Sequence, residues 1–199
     1  MYPKSFINLL ENFKKLPGIG EKSAERFVYA IDKLDQKEVE DFSYSLLMFK
    51  KNINKCKVCN HFTDDEICSI CQDDRRDKST ICVVPDSRSV CMFEKSANYR
   101  GVYHVLNGVI SPIEGVNPED INLYSLINYR INDMTKEVII ALNSSIEGET
   151  TSLYIQKLLE KKDVKVSRLS YGIPLGTDIE YLDPNLLTRA LEDRKFIHK

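Results

Sequence analysis

The chain has 199 residues, 42% of them hydrophobic and 29% charged, with a formal net charge of −2 at pH 7. These are ordinary globular proportions, and the charge argues against a protein that coats nucleic acid over its whole surface. No apolar run approaches the roughly 18 residues needed to span a bilayer, and Met1-Tyr2-Pro3-Lys4-Ser5 has no apolar secretory stretch, so a cytoplasmic protein is expected. The charge is uneven. Residues 1–61 carry 11 Lys/Arg against 8 Asp/Glu and residues 62–199 carry 17 against 22, which places any DNA contact near the N-terminus unless this is ordinary scatter.

In chain order, Phe6, Ile7, Leu9, Leu10 and Phe13 have helical spacing over residues 5–15, with Ser5 a suitable N-cap. The turn Leu16-Pro17-Gly18-Ile19-Gly20 follows. A second helix places Ala24, Phe27, Val28 and Ile31 on one face, and a third runs over about 36–51. The cysteine segment spans 55–72, and the polar stretch 73–78 links it to the remainder. From Ser79 short apolar runs (81–84, 102–106, 138–142, 164–169) alternate with helical patterns at 87–95, 118–130, 148–161 and 184–194. That alternation predicts an α/β domain with a largely parallel sheet, after a helical, metal-stapled N-terminal third.

Cys56-x2-Cys59 and Cys68-x2-Cys71 are two thiolate pairs separated by eight residues. In a reducing compartment they complete the tetrahedral shell that Zn²⁺ prefers, with no position left for water, so one structural zinc per chain is expected. A disulfide pair or chance spacing are the rival readings. The small module is expected to be nearly all turn. His61 reads as an exposed residue or a support to the ligands, and Cys82 and Cys91 as small hydrophobes in or near the α/β core.

Gly18 and Gly20 allow a tight turn that presents successive N–H groups at a helix start, an anion cradle. Lys22 and Arg26, four apart, share one face and can flank a phosphate. The plain alternative is a helical turn with a solvated basic face. This stretch resembles the helix-hairpin-helix DNA-binding motif, which contacts the backbone with little base specificity.

Residues 138–149, a strand followed by Asn143-Ser144-Ser145-Ile146-Glu147-Gly148-Glu149, resemble the Toprim fold of topoisomerases and primases. Asn143 and Ser145 stand at the two aspartate positions that the resemblance implies for Mg²⁺, and Pro85 stands at the glutamate position, with Asp86 next to it. Proline offers no ligand and Asn and Ser carry no charge, so the expectation is a Toprim scaffold without catalysis. Glu147 and Glu149 read either as first-turn acids favoured by the helix dipole or as a partner-binding patch. Gly172-Ile173-Pro174-Leu175-Gly176 lacks a Gly-Lys-Ser/Thr ending, and is expected to be a turn packed on the sheet or the next subunit. His104 reads as a core or interface histidine.

The ordered set of Leu-Pro-Gly-Ile-Gly at 16–20, the two cysteine pairs, 99–106, Ile110-Ser111-Pro112, 147–151 and 168–176 with Asp178, Glu180 and Tyr181 resembles the bacterial RecR recombination mediators from end to end. The resemblance implies a helix-hairpin-helix region over 1–54, a four-cysteine zinc finger over 55–72, a Toprim domain over 79–170 and a helical C-terminal assembly segment over 171–199. It implies a non-enzymatic protein of recombinational repair, cytoplasmic and nucleoid-associated. Its partners would be single- and double-stranded DNA, a RecO-type protein and a RecF-type one, with which it helps load RecA onto gapped DNA coated by single-strand-binding protein. Dimers or ring-shaped homotetramers are implied too. By position, Lys22 and Arg26 match the family's DNA-contacting residues, and Glu147 and Glu149 a partner surface. The competing readings are a Toprim-type Mg²⁺-dependent phosphodiesterase and a protein adaptor without DNA contact of its own.

Overall fold

The computed structural model describes residues 2–170 and 172–195; Tyr171 and residues 196–199, part of the expected C-terminal assembly segment, lie outside the described residues. The chain divides into two compact units after Ile53.

The first unit is helical: α1 (Lys4–Lys14), α2 (Glu21–Asp32) and α3 (Gln36–Asn52). Leu10, Ala24 and Val28 are buried, with Phe6, Leu9, Phe13 and Ile19 packed around them. The apolar spacing of α1 and α2 thus becomes a small two-helix core. The N-cap of α1 is Pro3, not Ser5, and no side chain caps the first turn. Phe27, expected inside, is 41% exposed and rests its ring 5.4 Å from that of Phe13. Helix α3 starts on a capping box in which Asp35 accepts from the Glu38 N–H at 2.8 Å and Glu38 accepts from the Asp35 N–H at 2.9 Å. It buries none of its residues.

The second unit begins with the cysteine segment, which therefore belongs with the α/β part rather than stapling the helical third. Its two-residue strands β1 (Asn54–Lys55) and β2 (Phe62–Thr63) pair antiparallel, and α4 is Ser69–Gln72. Strands β3 (Asp77–Val84), β4 (Gly101–Val105), β5 (Glu137–Ile140) and β6 (Lys165–Arg168) form a parallel sheet in the order β4-β3-β5-β6. Helices α5 (Ser87–Ser96) and α7 (Ile146–Leu159) are the connections after β3 and β5, and α8 (Pro184–Glu192) closes the described chain. The strands are the apolar runs of the sequence, and Ile81, Val83, Val102, Val138, Ile140, Ile155 and Leu159 meet in one buried cluster.

The helix expected over 118–130 is reduced to a turn, α6 (Leu123–Ser125), and a π-helical turn, Leu126–Arg130. Tertiary bonds outcompete the helical ladder at Asn122, whose N–H donates to the Leu106 carbonyl at 2.7 Å and whose carbonyl accepts from His104 Nε2 at 2.7 Å. Cys82 is buried in the sheet but Cys91, expected in or near the core, is exposed: α5 buries only Ser87 and Val90, and Cys91 lies at the rim of that inward stripe. The segment 172–176 is exposed, with Leu175 fully in solvent and Gly176 at φ 82°. It forms a turn but is not packed on the sheet.

Candidate functional site

Three places in the chain carry the chemistry, each within one unit. In the helical unit, Gly18 adopts φ 80° and Ile19 donates to the Leu16 carbonyl at 3.1 Å, closing the turn. Gly20 is the N-cap of α2, and no side chain caps the helix. Its first-turn N–H groups thus have no side-chain acceptor, the condition under which a helix start receives an anion. Lys22 and Arg26 are exposed one turn apart on α2, and among the described residues neither has an ion-pair partner. The first-turn acid Glu21 is instead engaged by Lys14 at 2.8 Å.

The metal centre is built from two knuckles. In the first, Cys56 N–H donates to the His61 carbonyl and Asn60 N–H to the Cys56 carbonyl, both at 2.8 Å, and Asn60 takes φ 65°. In the second, the N–H groups of Cys71 and Gln72 return to the Cys68 carbonyl at 3.0 and 3.1 Å. The sulfurs of Cys56, Cys59, Cys68 and Cys71 lie within 4.8 Å of one another, with Cys59 Sγ and Cys68 Sγ 3.5 Å apart. A tetrahedron of ~2.3 Å Zn–S bonds requires sulfur separations of about 3.8 Å, so the donor set fits one zinc ion. The Cys68 N–H points at Cys56 Sγ at 3.3 Å, a donor suited to a thiolate. Hydrogen bonds from Cys59 and Cys71 push the Cys68 thiol well below the usual range, while the bond with Cys68 and burial push Cys59 up. Thiols so close compete for one ionised state, and a cation lets all four ionise together. His61 is not among the converging ligands.

The third place is the carboxyl end of the parallel sheet. Strand β3 leads outward to β4 and β5 leads the other way to β6, so the turns after β3 and β5 flank a topological switch point, where open α/β sheets bind ligands. The first turn holds Pro85 and Asp86, and Asp86 is occupied as the α5 N-cap, accepting from the Ser89 N–H at 2.8 Å. The second holds Asn143 and Ser145, and Ser145 Oγ accepts from the Gly148 N–H at 3.2 Å. Glu149 faces Arg168 at 3.2 Å and Arg189 at 3.5 Å. Glu94 is held by Arg76 and by the Tyr103 hydroxyl at 2.7 Å. The acids are spent on separate tasks, and among the described residues the only converging metal-ligand group is the cysteine cluster.

Gly148 is explained without any ion: a Cβ there would sit 2.0 Å from the Asn143 carbonyl oxygen, so α7 approaches the strand end only through glycine. Sequence reasoning did not single out Arg168 and Arg189 as partners of Glu149, nor Thr151, which is buried and accepts from the Ile110 N–H at 2.8 Å. Arg168 ends an edge strand at the ligand end of the sheet, a positional signal; Arg189 offered none.

Four family models match the chain. One described as RecR, helix-hairpin-helix covers residues 6–48, the RecR four-cysteine zinc finger domain covers 53–73, Toprim domain covers 79–170 and RecR, C-terminal covers 172–195. They follow one another in the order of the hairpin, the zinc centre and the parallel sheet, and the chain belongs to the RecR family of non-catalytic recombination mediators, with a DNA-associated role in repair.

Proposed function

We propose that this protein is a non-enzymatic mediator that binds single- and double-stranded DNA through the phosphate backbone. With a RecO-type partner, and a RecF-type one, it helps load RecA onto gapped DNA. The carrying observation is the hairpin: an uncapped helix start at Gly20, the left-handed Gly18 before it, and the exposed Lys22 and Arg26 one turn apart. Gly18 and Gly20 let a phosphate approach the backbone, and Lys22 and Arg26 flank it. Glu147 and Glu149 form the partner surface in this reading. A basic partner group reaching Glu149 has to exchange with Arg168 and Arg189. Self-association into a ring is favoured by α3, which leaves Phe42, Tyr44, Leu46, Leu47 and Phe49 exposed.

The dispersal of Asp86, Glu94 and Glu149 onto capping and ion-pair duties supports a scaffold without phosphoryl-transfer chemistry. Nicking of supercoiled DNA with Mg²⁺ or Mn²⁺ would reverse that view.

The test is a titration of fluorescent gapped DNA over a salt series with the Lys22→Ala/Arg26→Ala double variant beside the parent. The variant should bind at least about tenfold more weakly, with a salt slope shallower by about one unit per lost phosphate contact. Equal binding removes the hairpin from the interface. If the parent itself binds no DNA at low salt, the adaptor reading replaces this one.

A further inference from the structure

Strand β4 is an edge of the sheet, and an edge presents unpaired N–H and C=O groups to any other strand. Alternate residues of a parallel strand address opposite neighbours. Leu106, just past the end of β4, turns inward and donates to the Val84 carbonyl at 3.0 Å, whereas Val105 turns outward and donates to the Cys59 carbonyl at 2.8 Å. The Val105 carbonyl accepts from Asn60 Nδ2 at 3.0 Å and Asn122 Nδ2 at 3.1 Å. Further along, Arg130 Nη2 donates to the Tyr103 carbonyl at 3.4 Å and Arg76 Nη1 to the Gly101 carbonyl at 3.1 Å. The outward carbonyls of Gly101, Tyr103 and Val105, and the Val105 N–H, are thus occupied by side chains and by one zinc knuckle. Beyond the strand end, Lys55 Nζ ties the same module to Asn107 Oδ1 at 3.0 Å.

Cys59 has two duties, its sulfur in the four-thiol cluster and its carbonyl on β4, and Asn60 follows in the left-handed conformation that aims its amide at Val105. Two-residue strands and a four-residue helix supply little to hold that knuckle, whose apolar support is Val58, Ile67 and Ile70 around the cysteines. The ion holds it.

We propose that the four-cysteine module is a metal-dependent guard of the β4 edge, and that when zinc is lost the uncovered edge pairs with β4 of a second copy of this chain. The sequence Gly101-Val102-Tyr103-His104-Val105 favours that occupant: it contains no Lys, Arg, Asp, Glu or Pro to blunt the edge, and its valines and tyrosine suit a ladder. Two copies meeting antiparallel about Val105 exchange the N–H that Cys59 now holds and the C=O that Asn60 now shares with Asn122, an isologous contact that closes on itself. Arg76 and Arg130 do not depend on the ion and keep the pairing short.

The test uses the full chain, zinc-loaded and stripped with EDTA under reductant, followed by residue-resolved amide exchange and sedimentation velocity. Stripping should speed exchange of the Val105 amide about tenfold or more while the inward-facing amides of Val102, His104 and Leu106 keep their protection. Association should rise above that of the loaded protein. Loss of protection at inward and outward amides alike means that zinc merely holds the whole fold, and overturns the guard. An unchanged Val105 amide overturns it equally, and an exposed Val105 without added association overturns the pairing. The zinc-loaded variant Asn60→Gly keeps the left-handed backbone and removes the amide that anchors the knuckle to the Val105 carbonyl. It should retain its metal yet exchange faster at Val105 than the parent, because the loosened knuckle releases the Cys59 carbonyl from the Val105 N–H more often. Parent-like exchange there counts against the guard even if the stripped protein precipitates.

Discussion

His104 lies on β4, fully buried, donating from Nε2 to the Asn122 carbonyl at 2.7 Å, with Nδ1 buried and without a hydrogen-bond partner among the described residues. Burial pushes it down to about 4, helped by the charge of Arg130. The folded value lies below the unfolded ~6.5, so the histidine costs nothing above that pH. As pH falls from 6.5 to 4, the unfolded state takes up the proton first and up to about 3 kcal/mol of stability drains away. Urea midpoints at pH 7 and 4.5 should differ less in His104→Leu than in the parent. Two glycines offer a second contrast. Gly148→Ala should cost about 3 kcal/mol or more, because its Cβ meets backbone at 2.0 Å. Gly18→Ala should cost about 1 kcal/mol through its positive φ alone, since nothing lies within 4 Å. At this scale legibility follows chain distance. The four cysteines and the Gly18–Gly20 turn are local spacings and were readable. The pairing of Glu149 with Arg168 and Arg189, and of Asn60 with Val105, is created by the fold and left no local mark.

Among the elements, α1, α2 and the strands β3, β4 and β5 follow from apolar periodicity, since each buries most of what its pattern presents, Ile7 and Phe27 excepted, while the edge strand β6 buries no residue. Residues 118–130 do not, because the hydrogen bonds of Asn122 to Leu106 and His104 are tertiary and outweigh a good helical pattern. Helix α3 is the opposite case, a helix with no buried residue that is held at its start by the Asp35–Glu38 box. Asp35→Ala should therefore destabilise α3 by about 1 kcal/mol, seen as faster amide exchange in its first turn with β3 and β5 unaffected.

For the molecule as a whole, the zinc centre falls inside the unit that begins at Asn54, together with the sheet. Cys68→Ala should release the metal and destabilise that unit by about 3 kcal/mol or more, leaving the helical unit's unfolding unchanged. Metal content with calorimetry checks it, and a zinc-replete, parent-like variant would contradict the four-thiolate assignment. The sheet order β4-β3-β5-β6 has a further bearing on how the chain is made. A ribosome delivers Cys59 and Asn60 before β4, so one flank of the nascent β3–β4 pair finds its cover already synthesised. The other flank, on β3, waits for β5 at Glu137–Ile140, which at ~5–20 residues per second is an interval of a few seconds. Of the two interior strands of the finished sheet, β3 is thus the one left bare longer during translation, and it is where a nascent chain of this protein most needs a chaperone.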